Sequence, residues 1–158
     1  MPKALVGYFT KSGHTKRMAE AIAEGLSEAK VSVTLQDITK ANVDDLTHTD
    51  AVILGSPCYY GTMAAPMKEF LDASVKFHGK LQGKVGGAFC SSGMLGGGNE
   101  TTILSILEAL LIHGMVVQGN AKIGHYGTVA IGDPNQKNLE ECVAYGRRLG
   151  ELMEKLAG

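Results

Sequence analysis

The chain predicts an α/β fold, a doubly wound sheet of five parallel strands in the order 2-1-3-4-5, and three observations carry that expectation. Short runs of strand-type apolar residues alternate with segments of helical periodicity along the whole chain. Connections between parallel strands are right-handed crossovers, so this alternation covers both faces of one sheet with helices. Glycine, 21 of 158 residues, concentrates at 83–98 and 114–132, where turns or close backbone approach are needed.

The elements follow in order. Lys3–Phe9 is a continuous apolar run of the kind shown by a strand buried on both faces. A helix is expected from near Lys16, with Met18, Ile22 and Leu26 sharing a face with Ala19 and Ala23. Val31–Gln36 and Ala51–Gly55 read as the second and third strands, and Ala65–Lys76 as a second helix. Val85–Cys90 is the fourth strand. A third helix begins at about Thr101, where Asn99 is placed to cap it; Ile103, Leu107 and Leu111 share its face with Ile106 and Leu110. Met115–Val117 reads as the fifth strand. Leu139, Cys142, Val143, Gly146, Leu149, Met153 and Leu156 recur at helical spacing behind the boundary signal Asp133-Pro134. No linker, long repeat or low-complexity stretch divides the chain, so residues 1–158 read as a single domain.

Composition narrows the function classes. With 44% hydrophobic and 20% charged residues and no long apolar run, no membrane span is expected. The N-terminus leads straight into the first strand without a secretory signal, so a cytoplasmic address is the default. A formal charge of -1 without a dense basic run argues against nucleic acid as a partner. Cys58, Cys90 and Cys142 lie far apart with no C-x-x-C pair, which argues against a zinc or other metal site and for reduced thiols.

In such a sheet a ligand lies beyond the carboxyl ends of the strands, where strand order reverses, so the loops after strands one, three and four are the ones to read. The first is Thr10-Lys11-Ser12-Gly13-His14-Thr15. It places three hydroxyls and a glycine at a helix start, where free N–H groups and the positive end of the helix dipole favour an anion. Neither a nucleoside triphosphate loop nor a dinucleotide fingerprint is present, and a phosphate monoester held by neutral donors suits FMN. The competing reading is that Ser12 only caps the helix, and His14 is open between phosphate contact and solvent.

The second loop carries Pro57, Cys58, Tyr59, Tyr60, Gly61 and Thr62, and its paired tyrosines offer aromatic faces for an isoalloxazine ring. An oligomer interface would also explain exposed tyrosines. The third loop, Ser91, Ser92, Gly93, Met94, Leu95, Gly96 and Gly97, frees backbone amides to face the edge of a planar ring.

These residues resemble the flavodoxin-like NAD(P)H:quinone oxidoreductases of the WrbA type over nearly the whole chain. The resemblance rests on Gly13-His14; on Gly61 through Leu71-Asp72 with Met63, Met67 and Phe70; on Gly96 through Ile103; and on His113-Gly114-Met115 and Tyr126-Gly127. It implies FMN held by Thr10–Thr15, Cys58–Tyr60 and Ser92–Gly97, with NAD(P)H as electron donor and homodimers or homotetramers as the assembly. Departures stand beside it. The segment between Gln36 and Asp50 is short, and Ser12 and Ile112 stand where that family usually has Tyr and His. Phe77-His78 occupies the region of a pocket Trp.

Two functions compete on these residues. One is an enzyme that passes electrons from NAD(P)H through FMN to a quinone or similar small acceptor, with His78, His113 and His125 as candidates for proton delivery and no residue assigned as catalytic. The other is an electron carrier that docks on redox proteins; the weak acidity of the third loop, with only Glu100, argues against it. A phosphoacceptor domain of the same architecture would need acids at the strand ends, and Thr10–Thr15 has none.

Overall fold

The computed structural model describes residues 1–158 as four α-helices packed on both faces of one sheet. In chain order these are β1 (Lys3–Tyr8), α1 (His14–Glu28), β2 (Ser32–Asp37), β3 (Ala51–Tyr59), β4 (Thr62–Met63), α2 (Ala65–Ala73), β5 (Val85–Ser92), α3 (Asn99–Ile112), β6 (Val116–Val117), β7 (Thr128–Ile131) and α4 (Gln136–Leu156). The central path runs β2-β1-β3-β5, every pair parallel. The expected order 2-1-3-4-5 holds, with one correction. The fifth strand is broken in two: β6 pairs with Val85-Gly86 and β7 with Phe89–Ser92, and residues 118–127 loop out between them.

That break leaves part of β5 without a strand on the edge away from β3, and a side chain fills the gap. The Ala88 N–H donates to Tyr145 Oη at 3.1 Å, from α4. Gly87 is a glycine for the same reason, since a Cβ there would lie 2.7 Å from that oxygen.

Apolar residues sort by strand alternation into two cores. Ala4, Val6, Ile53 and Phe89 face α1 and α4, while Leu5, Val52, Leu54 and Ala88 face α2 and α3. On the first face, α1 and α4 touch backbone to backbone. A Cβ on Gly25 would sit 1.9 Å from the Val143 carbonyl and one on Gly146 2.1 Å from that of Ile22, so any larger residue would force the helices apart.

The remaining departures from expectation have local causes. Between β2 and β3 there is no α-helix, only a 3₁₀ turn over Val43–His48, started by the Asn42 side chain accepting the Asp44 N–H at 3.1 Å. Lys84 closes its far end, donating to the carbonyls of Leu46 and Thr47, each at 3.0 Å, and of Thr49. The second helix stops at Ala73 and tightens into a 3₁₀ turn over Ser74–Phe77. The last helix starts at Gln136, where Asn135 and Asn138 form a reciprocal capping box. No helix is long and apolar enough to cross a membrane.

Candidate functional site

The carboxyl ends of β1, β3, β5 and β7 open onto one edge, and the loops leaving them build the site. After β1 the chain turns on Thr10, whose Oγ1 accepts the Gly13 N–H at 3.0 Å. Gly13 is the N-cap of α1 with φ 94°, a backbone state that suits glycine, and no side chain caps the helix. The reading of Ser12 as the cap therefore fails. The first-turn amides lack a side-chain acceptor, and the space a Cβ on Gly13 would enter has nothing within 4 Å. α1 thus starts earlier than expected, at His14, and presents N–H groups toward open space.

Of the three hydroxyls in this loop, one is tied to a distant strand. Thr15 is buried, and its Oγ1 lies 2.8 Å from the buried Ser91 Oγ at the end of β5, joining the first loop to the third. Lys11 and Ser12 are exposed, and His14 is half-buried.

The second loop is a tight hairpin rather than an open loop, because β3 runs on through Pro57, Cys58 and Tyr59. It turns at Tyr60 and Gly61, with φ 50° and 83°, and returns through Thr62-Met63. Positive φ at both central residues is the signature of a type I′ hairpin turn, where a tyrosine is costly. Tyr60 is fully exposed at this tip, at 108%, so packing does not account for it. Tyr59 meets Phe9 edge-on, ring centroids 6.5 Å apart. The hairpin returns under control of Ser56, whose Oγ accepts the Ala64 N–H at 2.8 Å.

The third loop is held as firmly. β5 extends through Ser92, whose hydroxyl donates to the Met94 carbonyl at 3.2 Å; the Gly97 N–H reaches the same carbonyl at 3.1 Å. Met94 and Leu95 are thereby displayed to solvent at the tip, while Gly93 and Gly96 border open space. Gly98, not Asn99, is the N-cap of α3, with φ 100° and no side-chain cap, which corrects the expected role of Asn99. Asn99 is instead buried at the first helical position, its Oδ1 without a hydrogen-bond partner.

Gly98 also has a packing role. A Cβ there would lie 2.6 Å from Gly61 Cα and 2.9 Å from Cys58 Sγ, so the second and third loops interlock at a glycine–glycine contact. The Cys58 thiol donates to the Gly97 carbonyl at 2.8 Å, and the Thr101 hydroxyl donates to the Gly61 carbonyl. Burial pushes the other thiols up, Cys90 to about 12 and Cys142 to about 11, so both stay protonated near neutral pH.

A fourth contributor was not visible in the sequence. The loop after β7 brings Asp133 to the start of α1, where it accepts from the Arg17 guanidinium and lies 3.9 Å from His14 Nε2. Recognising β7 was the signal needed, since that strand alone carries Asp133 to this edge. Two of the histidines considered for proton delivery are otherwise engaged: His113 Nε2 lies 2.8 Å from Ser74 Oγ and His125 Nδ1 2.7 Å from the Asn120 carbonyl.

Chemically, the edge combines an uncapped helix start that can take an oxyanion with two interlocked loops displaying Tyr59, Tyr60, Met94 and Leu95, suited to a flat apolar ring. Comparison with known proteins agrees with this layout. Residues 5–107 match the family described as Flavodoxin domain. The flavodoxin of Aquifex aeolicus is 39% identical over an alignment covering 96% of this chain and 86% of that protein. The NAD(P)H dehydrogenase (quinone) of Azorhizobium caulinodans is 35% identical over 99% of this chain and 98% of that protein. The structure of the WrbA-like flavodoxin from Agrobacterium tumefaciens superposes with a TM-score of 0.83 at 30% identity, covering 98% of this chain and 99% of that one. The order of the strands, the glycine-started helix behind the first of them and these likenesses together make this chain a member of the flavodoxin domain family.

Proposed function

We propose that residues 1–158 act as one FMN-binding unit that moves electrons from NAD(P)H to a quinone. The observation carrying this reading is the pair of helix starts on left-handed glycines, Gly13 behind β1 and Gly98 behind β5, that no side chain caps, with the Thr15–Ser91 contact joining the first and third loops and the Cys58–Gly97 contact joining the second and third. Thr10, Lys11, Ser12, Gly13, His14 and Thr15 would hold the FMN phosphate. Pro57, Cys58, Tyr59, Tyr60, Gly61 and Thr62 would border one side of the ring system, and Ser91, Ser92, Gly93, Met94, Leu95, Gly96 and Gly97 the other. When bound, FMN supplies the two-electron chemistry linking nicotinamide to quinone. The chain's own residues position it: uncapped amides orient the phosphate, while the hydrogen-bonded loops fix the slot before the ring enters. The relatives named NAD(P)H dehydrogenase (quinone) support the donor and acceptor.

A second reading, a carrier serving protein partners, is favoured by one observation. The quinone dehydrogenase of Azorhizobium caulinodans aligns over 194 positions against the 158 residues of this chain, so segments present there are missing here. Gln36 and Ala51 are joined by a single 3₁₀ turn. The test is an anaerobic spectrum of the FMN-loaded protein before and after NADH or NADPH, followed by a quinone. Bleaching by the nicotinamide and recolouring by the quinone support the oxidoreductase. A protein that takes up FMN yet stays yellow with both nicotinamides is the carrier, and one that takes up no FMN refutes both readings.

A further inference from the structure

Around the start of α1 stand Lys11, His14, Lys16 and Arg17, with no acid in the first helical turn. Glu20 pairs with Lys16 one turn further along α1, and one carboxylate enters this field from far along the chain: Asp133, on the loop after β7. It binds the Arg17 guanidinium and lies 3.9 Å from His14 Nε2. His14 is also the first residue of α1, so the carboxylate sits beside the very turn whose amides have no side-chain partner. Helical side chains lean toward the N-terminus, which aims Arg17 at the same turn. Arg17 and Asp133 are each substantially exposed, with side-chain exposures of 44% and 67%, so the pair contributes little to folding stability. Its weight falls on the local potential.

We infer that Asp133 sets the affinity of the α1 anion site by neutralising Arg17 there, and so determines how strongly the protein prefers a phosphorylated flavin over an unphosphorylated one. This rests on the FMN reading above. Asp133 is an affinity-setting residue, not a ligand, and it acts through charge. A phosphate dianion on the α1 amides meets a pair whose net charge is zero. Removing the carboxylate leaves a free cation, and removing the guanidinium leaves a free anion.

The two single substitutions must therefore move affinity in opposite directions. The experiment titrates FMN, and in parallel riboflavin, into full-length protein at low ionic strength, reading quenching of flavin fluorescence. Asp133→Asn is expected to tighten FMN by about tenfold, the scale for a unit charge acting on a dianion within a Debye length. Arg17→Gln is expected to weaken FMN by a similar factor, and the double variant to return close to wild type. Riboflavin, lacking the phosphate, should bind all four proteins alike, and the FMN differences should shrink in high salt. If both single variants weaken FMN, the pair is a mechanical latch and the inference is overturned. It is overturned equally if Asp133→Asn leaves FMN affinity unchanged, or if riboflavin shifts in step with FMN. Asp133→Ala provides a second variant of the same sign should the Asn protein fold poorly. A wild-type protein that quenches neither flavin would remove the FMN reading and this inference with it, whereas wild-type FMN binding with unresponsive variants removes the inference alone.

Discussion

Replacing Tyr145 by Phe isolates one oxygen at the place where the fifth strand is broken. β6 reaches only Val85-Gly86 and β7 begins at Thr128, opposite Phe89, so the Ala88 N–H has the Tyr145 hydroxyl as its acceptor, at 3.1 Å. Burial pushes that hydroxyl up to about 12, so it is neutral throughout the range where the protein would be studied. Phe keeps the ring, which is 2% exposed and packs in the α1–α4 core, so no cavity of consequence forms. What is lost is the acceptor, and a buried amide left without one costs about 1–3 kcal/mol. With a urea slope of ~1–3 kcal/mol/M, the midpoint should fall by roughly 1 M while the slope stays unchanged. Gly87→Ala attacks the same bond from the other side, because its Cβ would lie 2.7 Å from the Tyr145 oxygen. The two substitutions should then cost less together than the sum of their separate effects. Urea unfolding of the four proteins by circular dichroism measures this. A Tyr145→Phe midpoint within about 0.2 M of wild type, or strict additivity with Gly87→Ala, would refute the account of how the sheet survives the break.

Thiol burial, one buried histidine and the glycine between the loops each give a further expectation. A thiol reagent should find one reactive cysteine in the native protein, Cys58, and all three in denaturant, with bound FMN slowing Cys58; two or more native reactive thiols would contradict the burial of Cys90 and Cys142. Burial, and then His78, hold His113 below its ordinary value of 6.5, so the unfolded chain takes up this proton first. The contribution of neutral His113 is thus complete above the unfolded pKa and is lost as pH falls through it toward the folded one, and His113→Gln should flatten the fall in stability below about pH 6.5. Equal slopes for the two proteins would exclude His113 as the source. Gly98→Ala should both destabilise the protein, by about 1 kcal/mol or more from the left-handed backbone, and loosen FMN, because its Cβ drives Gly61 away; calorimetric melting and a flavin titration report the two effects separately.

Much of the architecture was legible because buried parallel strands advertise themselves: Leu5, Val6, Val52, Ile53 and Leu54 are continuous apolar runs and all are fully buried. What failed to show was short or set by distant partners. Thr128–Ile131 is four residues between two glycines, and it becomes a strand only because Phe89–Ser92 offers it a free edge. Asp133 could not be placed without it. The hydroxyls of Thr10–Thr15 announced a site, yet sequence could not tell that the Thr15 hydroxyl meets Ser91, 76 residues away. Likewise, the glycines of the third loop suggested contact with a ligand, while Gly98 answers first to Gly61 and Cys58 of the same chain.

The way this chain starts its helices separates stability from function. α4 begins with a full capping box, Asn135 and Asn138 satisfying each other's backbones. α1 and α3 begin on left-handed glycines with no side-chain cap. A glycine N-cap is worse than Ser, Asp or Asn by only a few tenths of a kcal/mol, so each glycine start forgoes a small amount of stability. The chain could build caps, as α4 proves, and Ser12 and Asn99 stand one residue from the positions where they would serve. The two glycine starts follow β1 and β5 at the site edge; α4 follows β7 at the same edge, but its loop brings a carboxylate, Asp133, in place of free amides. α2 also begins without a side-chain cap, but on Ala64 in extended backbone, so left-handed glycine starts are confined to α1 and α3. Free amides on backbone open to close approach are what an anion and ring site requires, and this is the strongest reason to place the flavin at Gly13 and Gly98.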